Sequence, residues 1–282
     1  MNKISLVLCT LNNFDEIKKF TSSLLKSEVS EIELIVIDQN SESILYLFSN
    51  ISRCDFVDLK YFHVNFKGLS RARNFALKHV TGNIVCFPDD DCVYSPRLLS
   101  NVQKIFNDDS IDFISVNTID PIDSQKSLIK LPTEGHLINY QKKSCVSFTL
   151  FFRSNVIDSV GEFDEKMGVG SGTKYGSGEE SDYVVRVISN GFVGKFFPEL
   201  YVYHPAKESL SVFDRALKNR MLSYGGGYGY FLRKNFKLQG YLLSFRNLLG
   251  IIARLFFSLK SKNEFYKALY FLLGFIQGFL KR

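Results

Sequence analysis

The sequence predicts an α/β fold with a mostly parallel sheet covered by helices on both faces. Three observations carry this expectation. Apolar runs such as ISLVLCT (4–10), ELIVID (33–38) and GNIVCFP (82–88) are continuous rather than alternating, as strands buried on both faces require. Stretches with helical spacing separate them. Carboxylates stand directly after two of the runs, at Asp38 and at Asp89, Asp90 and Asp91. The C-terminal ends of parallel strands form the crevice where such sheets bind ligands.

In chain order, residues 4–10 predict a first strand. Phe14, Ile17, Phe20 and Leu24 set a helical stripe over 14–27. A second strand covers 33–38, and QNS after it is a turn and cap signal. A helix is expected over 42–51 and a mixed strand over 58–64. GLSRARNFALKHV (68–80) reads as a loop entering a helix, and 82–88 as another buried strand. Pro96 suits a first helical position, and DFISVN (112–117) is one more strand. The approach to 179, GVGSGTKYGSG (168–178), is so rich in glycine that it reads as a mobile loop. In SGEE, Ser177 and Glu180 have the spacing of a capping box. Asn190 and Gly191 then supply a left-handed helix end.

The chain has 282 residues, 45% of them apolar and 23% charged, as expected of a globular protein. Its net charge of +6 is uneven. From residue 205 onward there are 14 Lys and Arg against 3 Asp and Glu, or +11; the rest carries 21 against 26, or −5. A basic tail on a neutral-to-acidic body points to an anionic surface, and sets expected domains of 1–205 and 206–282. Residues 241–258 and 264–281 place Phe245, Leu248, Leu249, Ile252, Leu255 and Phe256, then Leu269, Leu272, Leu273, Ile276 and Leu280, on helical faces. Neither run reaches the ~20 apolar residues of a spanning helix. They read as interfacial helices lying on a membrane, through residues 241–281. Their Phe and Leu faces argue against nucleic acid as partner. YGGGYGYFLRK (224–234) reads as a flexible joint before this tail. Cys9, Cys54, Cys86, Cys92 and Cys145 have no zinc-ligand spacing and suit reduced, cytosolic thiols. The run after Lys3 is too short for a signal-peptide core and reads as the first strand.

In an extended chain Asp89 and Asp91 share one side and Asp90 takes the other. Two carboxylates on one face form a site for a hard divalent cation. These residues occur among CTLNN (9–13), ELIVIDQNS (33–41), GLSRARN (68–74), VCFPDDDC (85–92), GEFDE (161–165), GSGEESDYVVRVISNG (176–191) and YVYHP (201–205). In order and spacing the set resembles the family 2 glycosyltransferases of GT-A fold, with a Rossmann-like sheet. It is similar to the bacterial enzymes that build capsule and lipopolysaccharide units. The resemblance covers about residues 1–205, which leaves the C-terminal helices as an extension.

The resemblance implies an inverting, metal-dependent transfer of a sugar from a nucleotide-sugar, by family frequency a UDP-sugar, to a lipid-linked saccharide in surface polysaccharide synthesis. The enzyme would lie peripherally on the cytoplasmic face of the bacterial cell membrane. Thr10, Asp38 and Arg73 would contact the nucleotide, with Asp90 beside them. Asp91 would hold Mn2+ or Mg2+, Asp89 the ribose or the metal, and His204 would be a further metal ligand. The family's Glu-Asp pair appears as Glu179 and Glu180, so the base would be a Glu, with Asp182 two residues on as the other candidate. A processive synthase is excluded by the lack of long spans and of Trp. A nucleotidyltransferase would want glycine and basic residues after the first strand, and CTLNNFDE has neither. A catalytically silent, membrane-associated adaptor of the same fold is the alternative reading.

Overall fold

The computed structural model describes residues 2–29, 31–123, 137–138, 146–205, 213–239 and 241–280. His136, Cys145 and residue 281 lie outside them. In chain order the elements are β1 (Ile4–Thr10), α1 (Phe14–Leu24), β2 (Ile32–Asp38), β3 (Val57–His63), α2 (Leu69–Leu77), β4 (Ile84–Cys86), β5 (Val93–Tyr94), α3 (Leu98–Ile105) and β6 (Phe113–Ile119). Then come β7 (Leu137–Ile138), β8 (Leu150–Arg153), α4 (Ser154–Val160), α5 (Glu179–Ser189), β9 (Gly194–Tyr203), α6 (Arg215–Lys234), α7 (Phe236–Gln239), α8 (Tyr241–Phe257) and α9 (Lys262–Leu280).

The strands form one nine-stranded sheet in the order β3-β2-β1-β4-β8-β6-β9-β5, with β7 on β9. The continuous apolar runs are the parallel part: β1 pairs with β2 and β4, and β2 with β3. β6 and β9 are also parallel. β8 runs antiparallel between β4 and β6, and β5 and β7 are antiparallel to β9. Ile4, Leu6 and Leu8 of β1 join Ile32, Leu34 and Val36 of β2, Ile17 and Phe20 of α1, and Leu98 and Val102 of α3 in one buried cluster. Alternate strand residues face the other way, and there Phe62 of β3 meets Phe75 of α2 at 5.4 Å. Each face therefore carries helices.

Two local expectations change and one holds. Residues 42–51 form no α-helix, only 3-10 turns at Leu45–Phe48 and Ile51–Arg53, because Asp38 pins the start of that segment from below. α3 begins at Leu98, two residues beyond Pro96, with Arg97 as N-cap. The helix end at 190–191 forms as expected, with Gly191 at φ +86°. Among the described residues Cys9, Cys54, Cys86 and Cys92 are free thiols. Burial pushes the Cys86 thiol up to about 12, the state of an inert core residue.

The chain divides into two compact units. The first holds 1–67, 72–162 and 190–206; the second holds 68–71, 163–189 and 207–282. The last stretch of the first unit ends at residue 206. The second unit also takes the glycine-rich segment and α5, which the charge balance gave no reason to assign there.

Residues 224–234 are no flexible joint. They lie inside α6, and their glycines let α9 approach at backbone distance. A Cβ at Gly225 would stand 2.0 Å from the Phe271 carbonyl oxygen, and one at Gly229 2.2 Å from that of Phe275. On α9, a Cβ at Gly274 would stand 2.1 Å from the Leu222 oxygen and one at Gly278 2.0 Å from the Gly226 oxygen. Each helix thus presents two glycines four residues apart to the other, the spacing that permits close crossing. The glycine-rich loop packs on the next two residues of α6. A Cβ at Gly226 would meet the Lys174 oxygen at 2.2 Å and one at Gly227 the Ser177 oxygen at 2.3 Å. Gly176 N donates to Ser223 O, Gly168 N to Tyr175 O and Leu69 N to Val169 O. The expected mobile loop is a hydrogen-bonded turn.

Gly278→Ala should destabilise the second unit by about 1–3 kcal/mol, the cost of overpacking, read as a lower urea midpoint. A pH dependence follows from Glu33, buried in β2. Its Oε1 accepts from Lys60 Nζ and Thr81 Oγ1, each at 2.5 Å, and its Oε2 from Ser5 Oγ at 2.5 Å and Thr81 N at 2.9 Å. Burial alone would raise its pKa, but these bonds outweigh it and hold the carboxyl down to about 2. An unfolded Glu titrates near ~4.3, so this stability is present above that pH and is lost as pH falls through 2. On the order of 2–3 kcal/mol should disappear between pH 5 and about 2 in urea titrations, and Glu33→Gln should flatten that slope.

Candidate active site

The ends of β1, β2 and β4 bring the acidic positions of the first unit together. Thr10 and Asp38 are register partners at the ends of β1 and β2. β4 ends at Cys86, and the triplet follows as an irregular turn. The three carboxylates are compensated from three directions. Asp90 turns back toward β1: its Oδ2 accepts from Thr10 Oγ1 at 2.6 Å and its Oδ1 from Asn13 Nδ2 at 2.6 Å. Asp89 Oδ1 stands 3.8 Å from Arg73 Nη2. Asp91 Oδ1 stands 3.0 Å from His204 Nε2.

His204 follows the last residue of β9, and its ring stacks on Phe148 at 4.4 Å with an interplanar angle of 3°. That shelf fixes the imidazole plane, and the ring is buried. Burial would lower the His204 pKa, but Asp91 and Asp89 raise it above the ordinary value. Asp89 is pushed up to about 6, first by desolvation and then by Asp91, against the opposing pull of Arg73.

Ligand atoms of Asp89, Asp91 and His204 all lie within 4.8 Å of one another. Two carboxylates and an imidazole, held in place by Arg73 and Phe148, fit a divalent cation. The expected metal set of Asp89, Asp91 and His204 is therefore one cluster.

Arg73 and Asp38 sit differently from the expectation of direct nucleotide contact. The Arg73 side chain is 2% exposed. It donates from Nη2 to Ser147 Oγ at 2.8 Å and lies 5.6 Å over the Phe87 ring. It braces Asp89 from inside the fold. Asp38 is fully buried. Its Oδ1 accepts from Asn40 N at 2.9 Å and Asn40 Nδ2 at 2.7 Å, and its Oδ2 from Ile44 N at 3.0 Å and from the Tyr61 hydroxyl. A carboxylate offers about four acceptor sites, so Asp38 is saturated by its own loop. Burial would raise its pKa, yet these donors hold it below the usual range. Beside it lies an open cavity of about 360 Å³ lined by Gln39, Asn40, His63 and Lys67. Thr10 and Asp90 form one bonded pair.

The three candidate bases belong to the second unit, in the first turn of α5. The capping box does not form. The helix starts at Glu179, one residue too late for Ser177 to be the N-cap, and Ser177 Oγ donates to Tyr224 O at 2.8 Å. Glu179 is buried against the turn: a methyl group at Gly168 would stand 3.2 Å from its Cδ. Glu180 is half-buried.

Asp182 is buried and bound on both oxygens. Oδ2 accepts from Arg186 Nε at 3.0 Å and Lys234 Nζ at 3.1 Å, and Oδ1 from Asn235 Nδ2 at 2.8 Å. Lys234 also donates to Asp164 Oδ2 at 2.8 Å, which Tyr230 OH reaches at 3.1 Å. This network ties α5 to the end of α6. Nothing in the tail's composition signalled it, although Asp164 lay within GEFDE. Asn13, Ser147 and Phe148 are further supports that sequence reasoning gave no role. Asn13 was visible in CTLNN, whereas Ser147 and Phe148 follow no motif.

Residues 5–157 match the family described as Glycosyl transferase family 2, so the chain belongs to that family of glycosyltransferases. No curated protein matches the chain. Among solved structures it is similar to the mannosyltransferase PcManGT from Pyrobaculum calidifontis in complex with GDP-Man and Mn2+, with TM-score 0.64 and 14% identity, over 99% of this chain and 87% of that one. S. aureus TarS 1–349 gives TM-score 0.61 and 18% identity, over 99% and 81%. The same TarS segment in complex with UDP-GlcNAc gives 0.59 and 18%, over 83% and 73%. Against the crystal structure of S. aureus TarS itself, the match covers 43% of that chain. At these identities the likeness establishes the GT-A fold.

Lys234→Met should remove one of the two cations on buried Asp182, leaving Arg186, and also take away the lysine bound to Asp164. A lost hydrogen bond to a charged group costs about 1.5–3 kcal/mol, so a fall of that order in unfolding free energy is expected. Lys234→Arg should recover most of it, and chemical denaturation of both variants checks the assignment.

Proposed function

We propose that the chain is an inverting, metal-dependent glycosyltransferase that moves a sugar from a UDP-sugar donor to a hydroxyl of a lipid-linked saccharide. The carrying observation is the cluster of Asp89, Asp91 and His204 at the ligand-binding end of the sheet. The nucleotide-sugar class is supported by the UDP-GlcNAc and GDP-Man bound in the two similar structures. Mn2+ or Mg2+ held by the cluster would supply Lewis-acid stabilisation of the charge that develops on the leaving diphosphate.

The protein's own groups do the rest. Arg73 keeps Asp89 in place from below, and Phe148 fixes the ring of His204. Asp90, tied to Thr10 and Asn13, locks β1 to the triplet and so shapes the mouth of the crevice. Thr10 and Asp38 act on the nucleotide through the loops they organise. Glu179 or Glu180 takes the proton of the acceptor hydroxyl as it attacks, help of about 10²–10⁴-fold. Asp182, already holding three donors, serves to anchor that turn. One base acting on one attacking hydroxyl means a single displacement, with inversion at the anomeric carbon.

A lipid-linked acceptor fits the tail. Phe245, Leu249, Ile252 and Phe256 of α8 are exposed along one stripe, while Leu248 and Leu255 are half-buried and Ile251 is buried. Leu273, Ile276 and Leu280 of α9 are exposed too. No helix among the described residues is long and apolar enough to cross a membrane. A stripe of this kind beside Arg246 and Arg254 suits an anionic lipid surface. We place the protein peripherally on the cytoplasmic face of a bacterial membrane, in surface polysaccharide synthesis of the capsule or lipopolysaccharide kind.

Calorimetric titration of UDP, dTDP and GDP, with and without Mn2+, tests the reading. One nucleotide, expected to be UDP, should bind only with the metal, and Asp91→Ala should weaken it on the order of 100-fold or more. Absence of binding by folded protein for all three nucleotides would overturn the assignment and favour a silent adaptor.

A further inference from the structure

The cavity beside Asp38 is lined by a polar group that the fold leaves without a partner. Gln39 is 7% exposed, and its side-chain oxygen Oε1 is buried with no hydrogen bond from any described residue. Buried polar groups in folded proteins are otherwise paired, and an unpaired one costs stability. Gln39 lines the cavity. The last torsion of a glutamine is soft, so its amide can turn toward a molecule bound there.

The backbone ties this cavity to the acidic triplet. Gln39 N donates to Thr10 O at 3.1 Å, and Thr10 Oγ1 is the group that holds Asp90. Asn40, the next lining residue, accepts through Oδ1 from Asn12 N at 2.8 Å. His63, the register partner of Asp38, stands at the end of β3. Its ring is fixed by Nε2, 2.9 Å from Asn40 O, and Phe66 adds a second ring to the lining. Aromatic rings beside an amide suit a flat heterocycle with hydrogen-bonding groups on its edge. The volume of about 360 Å³ lies within the range of about 300–1,000 Å³ usual for small-molecule sites. Asp38 is no such reader, because Asn40, Ile44 and Tyr61 already occupy its two oxygens.

We propose that Gln39, and not Asp38, reads the base of the nucleotide donor. Its amide pairs with the imide edge of uracil: Oε1 accepts from the ring N3–H, and Nε2 donates to the neighbouring ring carbonyl. Asp38 holds the loop that presents Gln39. The inference rests on the transferase reading above, and adds to it the residue that selects the base.

Calorimetry on the full chain with Mn2+ compares UDP with UDP methylated at N3, which has no imide proton. UDP should bind about tenfold tighter or more, a comparison that needs no variant. Gln39→Leu should weaken UDP to the level of the methylated nucleotide and bind the two alike. The same substitution removes the unpaired buried oxygen, so the urea midpoint without nucleotide should rise; loss of a merely structural side chain would lower it. Asp38→Asn should lower the midpoint and keep the preference for UDP. Equal binding of the two nucleotides by the unaltered chain, or a preference that survives Gln39→Leu, would overturn the proposal and leave the transferase reading intact. No binding of UDP by the folded protein would defeat that reading instead.

Discussion

Three consecutive carboxylates repel one another, and the first unit is arranged around relieving that repulsion. Each acid is met from a different part of the chain: Asp90 by Thr10 and Asn13 after β1, Asp89 by Arg73 of α2, Asp91 by His204 after β9. Partners drawn from one side could not have separated the three side chains. Because they come from several directions, Asp90 is pulled away while Asp89 and Asp91 stay on one face. Burial of Arg73 is part of the same solution. An arginine this deep is tolerated only when paired, and its pairing with Asp89 is what keeps a half-exposed carboxylate in a fixed place.

The second unit meets a different constraint, that of distance. Glycine weakens an isolated helix by about 1 kcal/mol relative to alanine, so a run of glycines in α6 needs a compensating gain. That gain is close packing on two sides. Gly225 and Gly229 admit α9, and Gly226 and Gly227 admit the turn that leads into α5. The C-terminal helices therefore support the acidic first turn of α5, a task separate from any attachment to a membrane. Lys234 and Asn235, at the end of the same helix, complete the support through Asp182.

Much of this was legible in the sequence, and for identifiable reasons. The parallel strands were readable because burial on both faces forces unbroken apolar runs such as ELIVID. Asp89 and Asp91 do come together while Asp90 turns to Thr10 and Asn13, but the triplet is a turn closed by Cys92 N on Asp89 O, not the extended chain that the alternation assumes. What sequence could not give was long-range pairing. The helix expected at 42–51 gives way to 3-10 turns because Asp38 accepts from Asn40 and Ile44, a tertiary effect on local propensity. Residues 224–234 were misread as a joint because glycine's local meaning is freedom, whereas two helices in contact give it the opposite meaning. SGEE has capping-box spacing, yet Ser177 is drawn to Tyr224, a partner no local pattern reveals.

The position of His204 has a consequence for how the protein assembles. It lies beyond the stretch that matches the family, 5–157, and it reaches Asp91 only once β9 has docked beside β6 and β5. Contacts between residues so far apart in the chain are among the last to be favoured during folding, since the loop they close is long. The cluster of Asp89, Asp91 and His204 is therefore incomplete until the sheet is. A cation that preferred the complete cluster would stabilise the docked strand by mass action, and would favour chains that have placed β9 over those that have not.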